Sequence, residues 1–301
     1  MRENLRRWLS PPDPSTNHNI ACAVHHEGSA KWFFQGSIFN DWKSKGSLLW
    51  IHGKRAHLSL FSMTQFDGMS RFAAGSGKSI LWFVNFSMIS QASLTWSVSS
   101  TIIRDIESIC KTGQAAIGYF YFDFRDSNKQ HWRGLVHSLL TQLSARSGPQ
   151  CDILLRLYDD HDCGARQPGD DVLKQCLKEM FTLLDQRPTY LIIDAIDECP
   201  DTSGIPSPRE RVLQIVGSLV DLRLPNLHIC LTSRPEIDIR NTLEPLTPCC
   251  VSLHDQTGQK KDIEDYVRSV VYSESEPIMR RWRKEDKDFV IETLSERASG
   301  M

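Results

Sequence analysis

The chain has 301 residues, 40% hydrophobic and 24% charged, enough apolar material for one α/β core with room for a small appendage. A net charge of −2 and an isoelectric point near 6.6 give no reason to expect a nucleic-acid partner. Nine cysteines, an odd number without C-x-x-C spacing, read as reduced thiols rather than a disulfide or zinc framework, and neither His25 with His26 nor His52 with His57 makes a metal-ligand pattern.

The start is charged and then runs into Pro11, Pro12 and Pro14, which is not the pattern of a signal peptide, so the expected location is cytoplasmic. An apolar run over residues 47–52 reads as a buried strand and delivers the chain to Gly53 and Lys54. Further on stand Ala74, Gly75, Ser76, Gly77, Lys78 and Ser79, the back half of the G-x-x-x-x-G-K-[ST] phosphate loop. Phe72 occupies the place of the first glycine, and removing residues 55–73 joins Gly53 and Lys54 to Ala74 as an unbroken Walker A motif. In such a loop successive N–H groups and a helix N-terminus face the phosphates, the lysine reaches the β- and γ-phosphates and the serine hydroxyl ligates Mg²⁺. A short glycine-serine string also occurs by chance, so the motif gains its weight from the acidic and basic strand ends further along the chain.

The stretch of residues 80–103 has no charged residue and is long enough to span a bilayer, but its serines, Asn85 and Gln91 and its overlap with the phosphate-loop helix favour an insert over a membrane anchor. Removing residues 82–98 joins Leu81 to Ser99, Ser100, Thr101, Ile102 and Ile103 as one helix. At about 100° per residue the extra residues turn the following face by roughly 260°, so the helix is expected to break or loop out. Both inserts are expected to be extruded from the sheet as poorly packed loops or irregular helix, and to make hydrolysis far slower than in an insert-free chain. They are in frame, and their sizes suit translated introns better than a genuine elaboration.

Strands are expected at 47–53, 115–124, 189–194, 227–233 and 249–253, separated by helical patterns as a parallel sheet requires. Trp132, Leu135, Val136, Leu139, Leu140 and Leu143 make one helical stripe, and Leu173, Cys176, Leu177, Met180 and Leu184 another. Ser207, Pro208 and Glu210 form a helix start, and Ile263, Tyr266, Val267, Val270 and Val271 mark a helix beyond the sheet. Residues 189–193 run into Asp194, Asp197 and Glu198, an acidic cluster at a strand end expected beside the strand of residues 47–53. Asp194 there suits Mg²⁺, and its neighbours suit the orienting of an attacking water. The strand of residues 227–231 ends in Thr232, Ser233 and Arg234, where a guanidinium could sense a γ-phosphate.

This order of phosphate loop, residues 118–126, residues 194–198 and residues 232–236 resembles the NACHT domains of signal-transducing STAND NTPases, most closely the nephrocystin-like type of fungal proteins with ankyrin or WD40 repeats. The resemblance covers roughly residues 5–299. It implies an α/β P-loop NTPase fold of three layers, a mainly parallel five-stranded sheet and a short C-terminal helical extension. It divides the chain into a lead-in at 1–46, the NTPase domain at 47–255 and a truncated extension at 256–301. It implies ATP or GTP with Mg²⁺ as ligands, held by Gly53 and residues 74–79, with Ser79 and Asp194 on the metal and Asp197, Glu198 and Arg234 in hydrolysis. The partners implied are nucleotide and, in the full-length protein, further copies of itself, with no nucleic acid and no membrane. The module is expected to be cut at both ends, without effector domain or sensor repeats. Two alternatives stand beside this: a non-catalytic fragment or interaction scaffold with a disrupted loop, and a P-loop small-molecule kinase, which lacks a visible lid.

Overall fold

The computed structural model describes residues 1–24, 31–53, 91–145, 148–183, 187–202, 204–253, 264–265, 268, 271–272 and 282–299. In chain order these form α1 (Arg2–Leu9), α2 (Ser15–Val24), α3 (Lys31–Gln35), α4 (Ser37–Lys45), β1 (Leu48–His52), α5 (Gln91–Lys111) and β2 (Ala116–Tyr121). They continue as α6 (Trp132–Leu143), α7 (Pro149–Asp159), α8 (Asp170–Thr182), β3 (Thr189–Asp194), α9 (Pro208–Val220), β4 (Leu227–Ser233), α10 (Ile237–Leu243), β5 (Cys249–Ser252) and α11 (Lys284–Ser299).

The five strands make one sheet in the order β2-β3-β4-β1-β5, and every pairing is parallel. Because side chains alternate along a strand, a sheet covered on both faces must be apolar at consecutive positions. The strands obey this: Leu48 and Trp50 of β1, Leu191 and Ile193 of β3, and Ile229 and Leu231 of β4 face a core shared with α1 and α6 to α10. Leu49, Ile51, Tyr190, Ile192 and Cys230 face the other core, with Trp42 of α4 and Ile102, Ile103 and Ile106 of α5. The result is the expected three-layer α/β arrangement.

Two expectations are corrected. The acidic strand β3 does not lie beside β1, because β4 stands between them and pairs with both. Both candidates were apolar runs of similar length, and nothing local to either strand encodes its neighbour. Within the described residues, the helix that begins inside the second expected insert is unbroken: α5 runs from Gln91 through Lys111, and Val98 is buried. Residues 91–111 contain neither proline nor glycine to stop a helix, and Val98, Ile102, Ile106 and Cys110 recur every fourth residue on the buried face. Val98, the last residue of that stretch, is therefore packed rather than extruded; residues 55–73 and 82–90 lie outside the described residues.

The lead-in is part of the packed body. Leu5, Trp8 and Leu9 are buried in the core, and the Trp8 indole donates to the Arg166 carbonyl at 2.8 Å. Trp42, fully buried, donates from one N–H to the carbonyls of Ser47 and Ile229, at 3.0 and 3.1 Å, so α4 is tied to the entrances of β1 and β4. Gly46 makes the turn into β1 at φ +59, and a Cβ there would meet the Pro225 carbonyl oxygen at 2.1 Å, so only glycine fits. Ser207 caps α9 by accepting from the Glu210 N–H, and Pro208 occupies the first turn, as the pattern predicts. Among the described residues no helix is long and apolar enough to cross a membrane; residues 80–90 of the apolar stretch lie outside them, as do Ile263, Tyr266, Val267 and Val270 of the expected late helix.

Candidate functional site: the acidic turn at the carboxyl end of the sheet

Parallel strands place their carboxyl ends together, and at that edge β1 delivers Gly53, whose N–H donates to the Ser233 carbonyl at 3.3 Å. β3 ends there at Asp194, which is wholly buried. Its Oδ1 accepts from the Ser99 hydroxyl of α5 at 2.5 Å and from the Thr232 hydroxyl of β4. Its Oδ2 is buried and has no partner among the described residues. Burial pushes this carboxyl up to about 6; the hydroxyls of Ser99 and Thr232 oppose that rise and the charge of Asp197 adds to it.

Ala195 follows in the left-handed region at φ 58, a conformation that a side chain normally avoids. Its N–H donates to Thr232 Oγ1 at 3.0 Å, so one hydroxyl holds both the carboxylate and the residue that bends the chain away from it. The bend starts a 3-10 turn, Ile196–Glu198, which sets Asp197 and Glu198 on the rim. Asp197 accepts from the Arg234 N–H at 3.0 Å and pairs with the Arg234 guanidinium at 3.3 Å. Burial raises its pKa, against the Arg234 backbone donor and charge. Glu198 accepts from the Phe124 N–H at 3.1 Å, and burial pushes it up to about 7, with Asp197, Asp123 and Asp194 adding repulsion. The structure thus brings Asp194, Asp197, Glu198, Arg234 and Gly53 to one edge; Ala74, Gly75, Ser76, Gly77, Lys78 and Ser79 lie outside the described residues.

Three participants were not recognised in the sequence. Ser99 is wholly buried within the apolar face of α5, and a pair of serines ahead of Ile102 and Ile103 was the available signal. Asp123, just past β2, accepts from the Arg125 N–H and guanidinium at 2.8 to 2.9 Å and from Asn17 Nδ2 at 2.9 Å. Burial alone would raise its pKa, but those donors win and hold it at about 2. The third is Arg209. It sits in the first turn of α9, where the helix dipole disfavours a cation, and that misfit is its sequence signal. A cavity of about 550 Å³ lies between the first turns of α6 and α9, walled by Arg133, His137 and Arg211 among others; none of the acidic-turn residues borders it.

The three layers and the all-parallel five-stranded sheet define a P-loop NTPase-like α/β fold, with an acidic turn after β3 and an arginine after β4 at its carboxyl edge. A family model described as Nephrocystin 3, N-terminal, matches residues 71–234, more than half of the chain, and includes residues 74–79, the acidic turn and Arg234. The chain belongs to the nephrocystin 3 N-terminal family. No curated protein matches it significantly.

Proposed function

We propose that the chain is the nucleotide-binding NACHT module of a cytoplasmic STAND-type signalling protein, which takes ATP or GTP with Mg²⁺ and hydrolyses it to control self-association. One observation carries the reading furthest: the Oδ2 of a wholly buried Asp194 at the strand end, which has no partner among the described residues. A buried anionic oxygen without a donor is costly, and a divalent cation, directly or through its water, is the partner that this chemistry calls for. Asp194 and Ser79 would hold Mg²⁺, while Gly53 and residues 74–79 would cradle the phosphates, with Lys78 supplying charge. Bound Mg²⁺ supplies neutralisation of phosphate charge. Glu198, pushed up to about 7, suits proton acceptance from water near neutral pH, and Asp197 holds Arg234 in place.

The internal pairing of Asp197 with Arg234 also supports a second reading, a scaffold that binds nucleotide without hydrolysing it. Titration with fluorescent ATP and GTP analogues, with and without Mg²⁺, tests the binding. We expect Lys78→Ala to abolish it and Asp194→Asn to remove its Mg²⁺ dependence. Equal affinity in the wild type and Lys78→Ala would remove the basis for the site, and phosphate release separates the hydrolase from the scaffold.

A further inference from the structure

Arg209 is 7% exposed at its side chain, yet it lies at the rim of the acidic turn rather than in an apolar core. Its guanidinium donates to four residues, two on the turn after β3 and two at the start of α10. Nε donates to the Cys199 carbonyl at 2.9 Å and Nη2 to the Asp197 carbonyl at 2.8 Å, both on the turn after β3. Nη1 donates to Glu236 Oε2 at 2.6 Å and to Asp238 Oδ2 at 3.2 Å, both just past Arg234 on the segment after β4. Planar donors in a fixed fork are suited to such a span, and a lysine ammonium on a flexible stem is not.

The charges show why the span matters. Asp197, Glu236 and Asp238 converge on the segment that carries Arg234, and Glu236 adds to the rise of the Asp197 pKa. Arg234 meets Asp197 through both its backbone N–H and its side chain. With Arg209 in place, Glu236 and Asp238 are occupied and Asp197 is left to Arg234. The two carbonyls that Arg209 grips bracket Glu198, so one side chain ties the turn that carries Glu198 to the segment that follows Arg234.

We propose that Arg209 is a positioning residue that locks the acidic turn to the Arg234 segment, setting the geometry in which Glu198 and Arg234 meet the terminal phosphate. The inference rests on the hydrolytic reading above for its consequence, but the lock itself is a property of the protein without nucleotide. Arg209→Lys keeps the charge and loses the fork; Glu236→Gln, at a half-exposed position, removes one anchor with little risk to folding.

Two measurements on the whole chain test it. Amide hydrogen exchange in the absence of nucleotide should be faster by about tenfold at Arg234 and at residues 198–199 in both variants, with the β1 and β2 amides unchanged. Unchanged exchange at Arg234 in both would overturn the lock, whatever the chain does with nucleotide. Single-turnover hydrolysis of Mg²⁺-ATP and Mg²⁺-GTP should fall ~10- to 100-fold in Arg209→Lys, the scale of a displacement on the order of 1 Å, while nucleotide Kd stays within about twofold. Equal losses in rate and affinity, or a wild-type rate in Arg209→Lys, would overturn the positioning role. A wild-type chain that binds or hydrolyses neither nucleotide would instead count against the hydrolytic reading, and the exchange data would still decide the lock.

Discussion

Replacing Thr232 by valine isolates the hydroxyl that organises the strand-end bend. Thr232 is wholly buried; its Oγ1 accepts from the Ala195 N–H and donates to Asp194. Valine fills the same space and offers neither bond. A buried donor left unsatisfied costs ~1–3 kcal/mol, and a hydrogen bond to a charged group is worth ~1.5–3 kcal/mol, so we expect a loss of about 3 kcal/mol in all. Ala195 also loses the bond that holds it at φ 58, which adds to the same side. The sign with pH is set by Asp194. Its pKa of about 6 is above that of the unfolded chain, and the Thr232 hydroxyl lowers it by favouring the charged form. The loss should therefore be larger at pH 8, where the carboxylate is charged, than at pH 5. Thr232→Ser, which keeps the hydroxyl and drops a methyl, should cost only about 1 kcal/mol. Urea unfolding of the three proteins measures this. The same midpoint and slope for Thr232→Val and Thr232→Ser would mean that packing, not the hydroxyl, holds the bend.

Asp123, held at about 2 by Arg125 and Asn17, contributes stability that is present above its unfolded pKa near 4 and lost as pH falls through 2, so Asp123→Asn should flatten the acid limb between those values in a denaturation series. Glu198 works the other way: its raised pKa, about 7, makes stability decline as pH rises from about 4.5 through 7, so Glu198→Gln should be more stable than wild type at pH 8 and equal to it at pH 4. Trp42→Phe leaves the Ser47 and Ile229 carbonyls without their shared donor and opens space in a closed core, and calorimetry should show a loss of about 2–3 kcal/mol.

The strands could be read from the sequence because each is a short apolar run that ends in turn chemistry, and a sheet buried on both faces needs little more. The acids could be read because Asp194, Asp197 and Glu198 are consecutive with the strand that carries them. Sheet order could not, since Leu49 and Leu191 look alike and only the pairing of Leu48 and Leu191 with Ile229 places β4 between them. Arg209 was hidden inside a correctly read helix start, because its partners at 236 and 238 lie far along the chain, at the start of another helix. The helix expected to fail before Ser99 instead starts upstream of it. Val98 extends the buried stripe of Ile102 and Ile106 by one position of the same face, while Ile80 and Leu81 lie outside the described residues.

β1 lies between β4 and β5, and this sets the smallest piece of the chain that should fold. The family match begins at residue 71 and ends at 234, beyond β1 and short of β5. A fragment trimmed to those limits would keep β2, β3 and β4 but expose the whole length of β4, a row of unpaired N–H and C=O groups flanked by Ile229 and Leu231. Such an edge recruits other edges. Sequence kinship and structural integrity therefore draw different boundaries here, and a fragment cut by kinship should precipitate through strand-to-strand pairing even with its acidic turn intact.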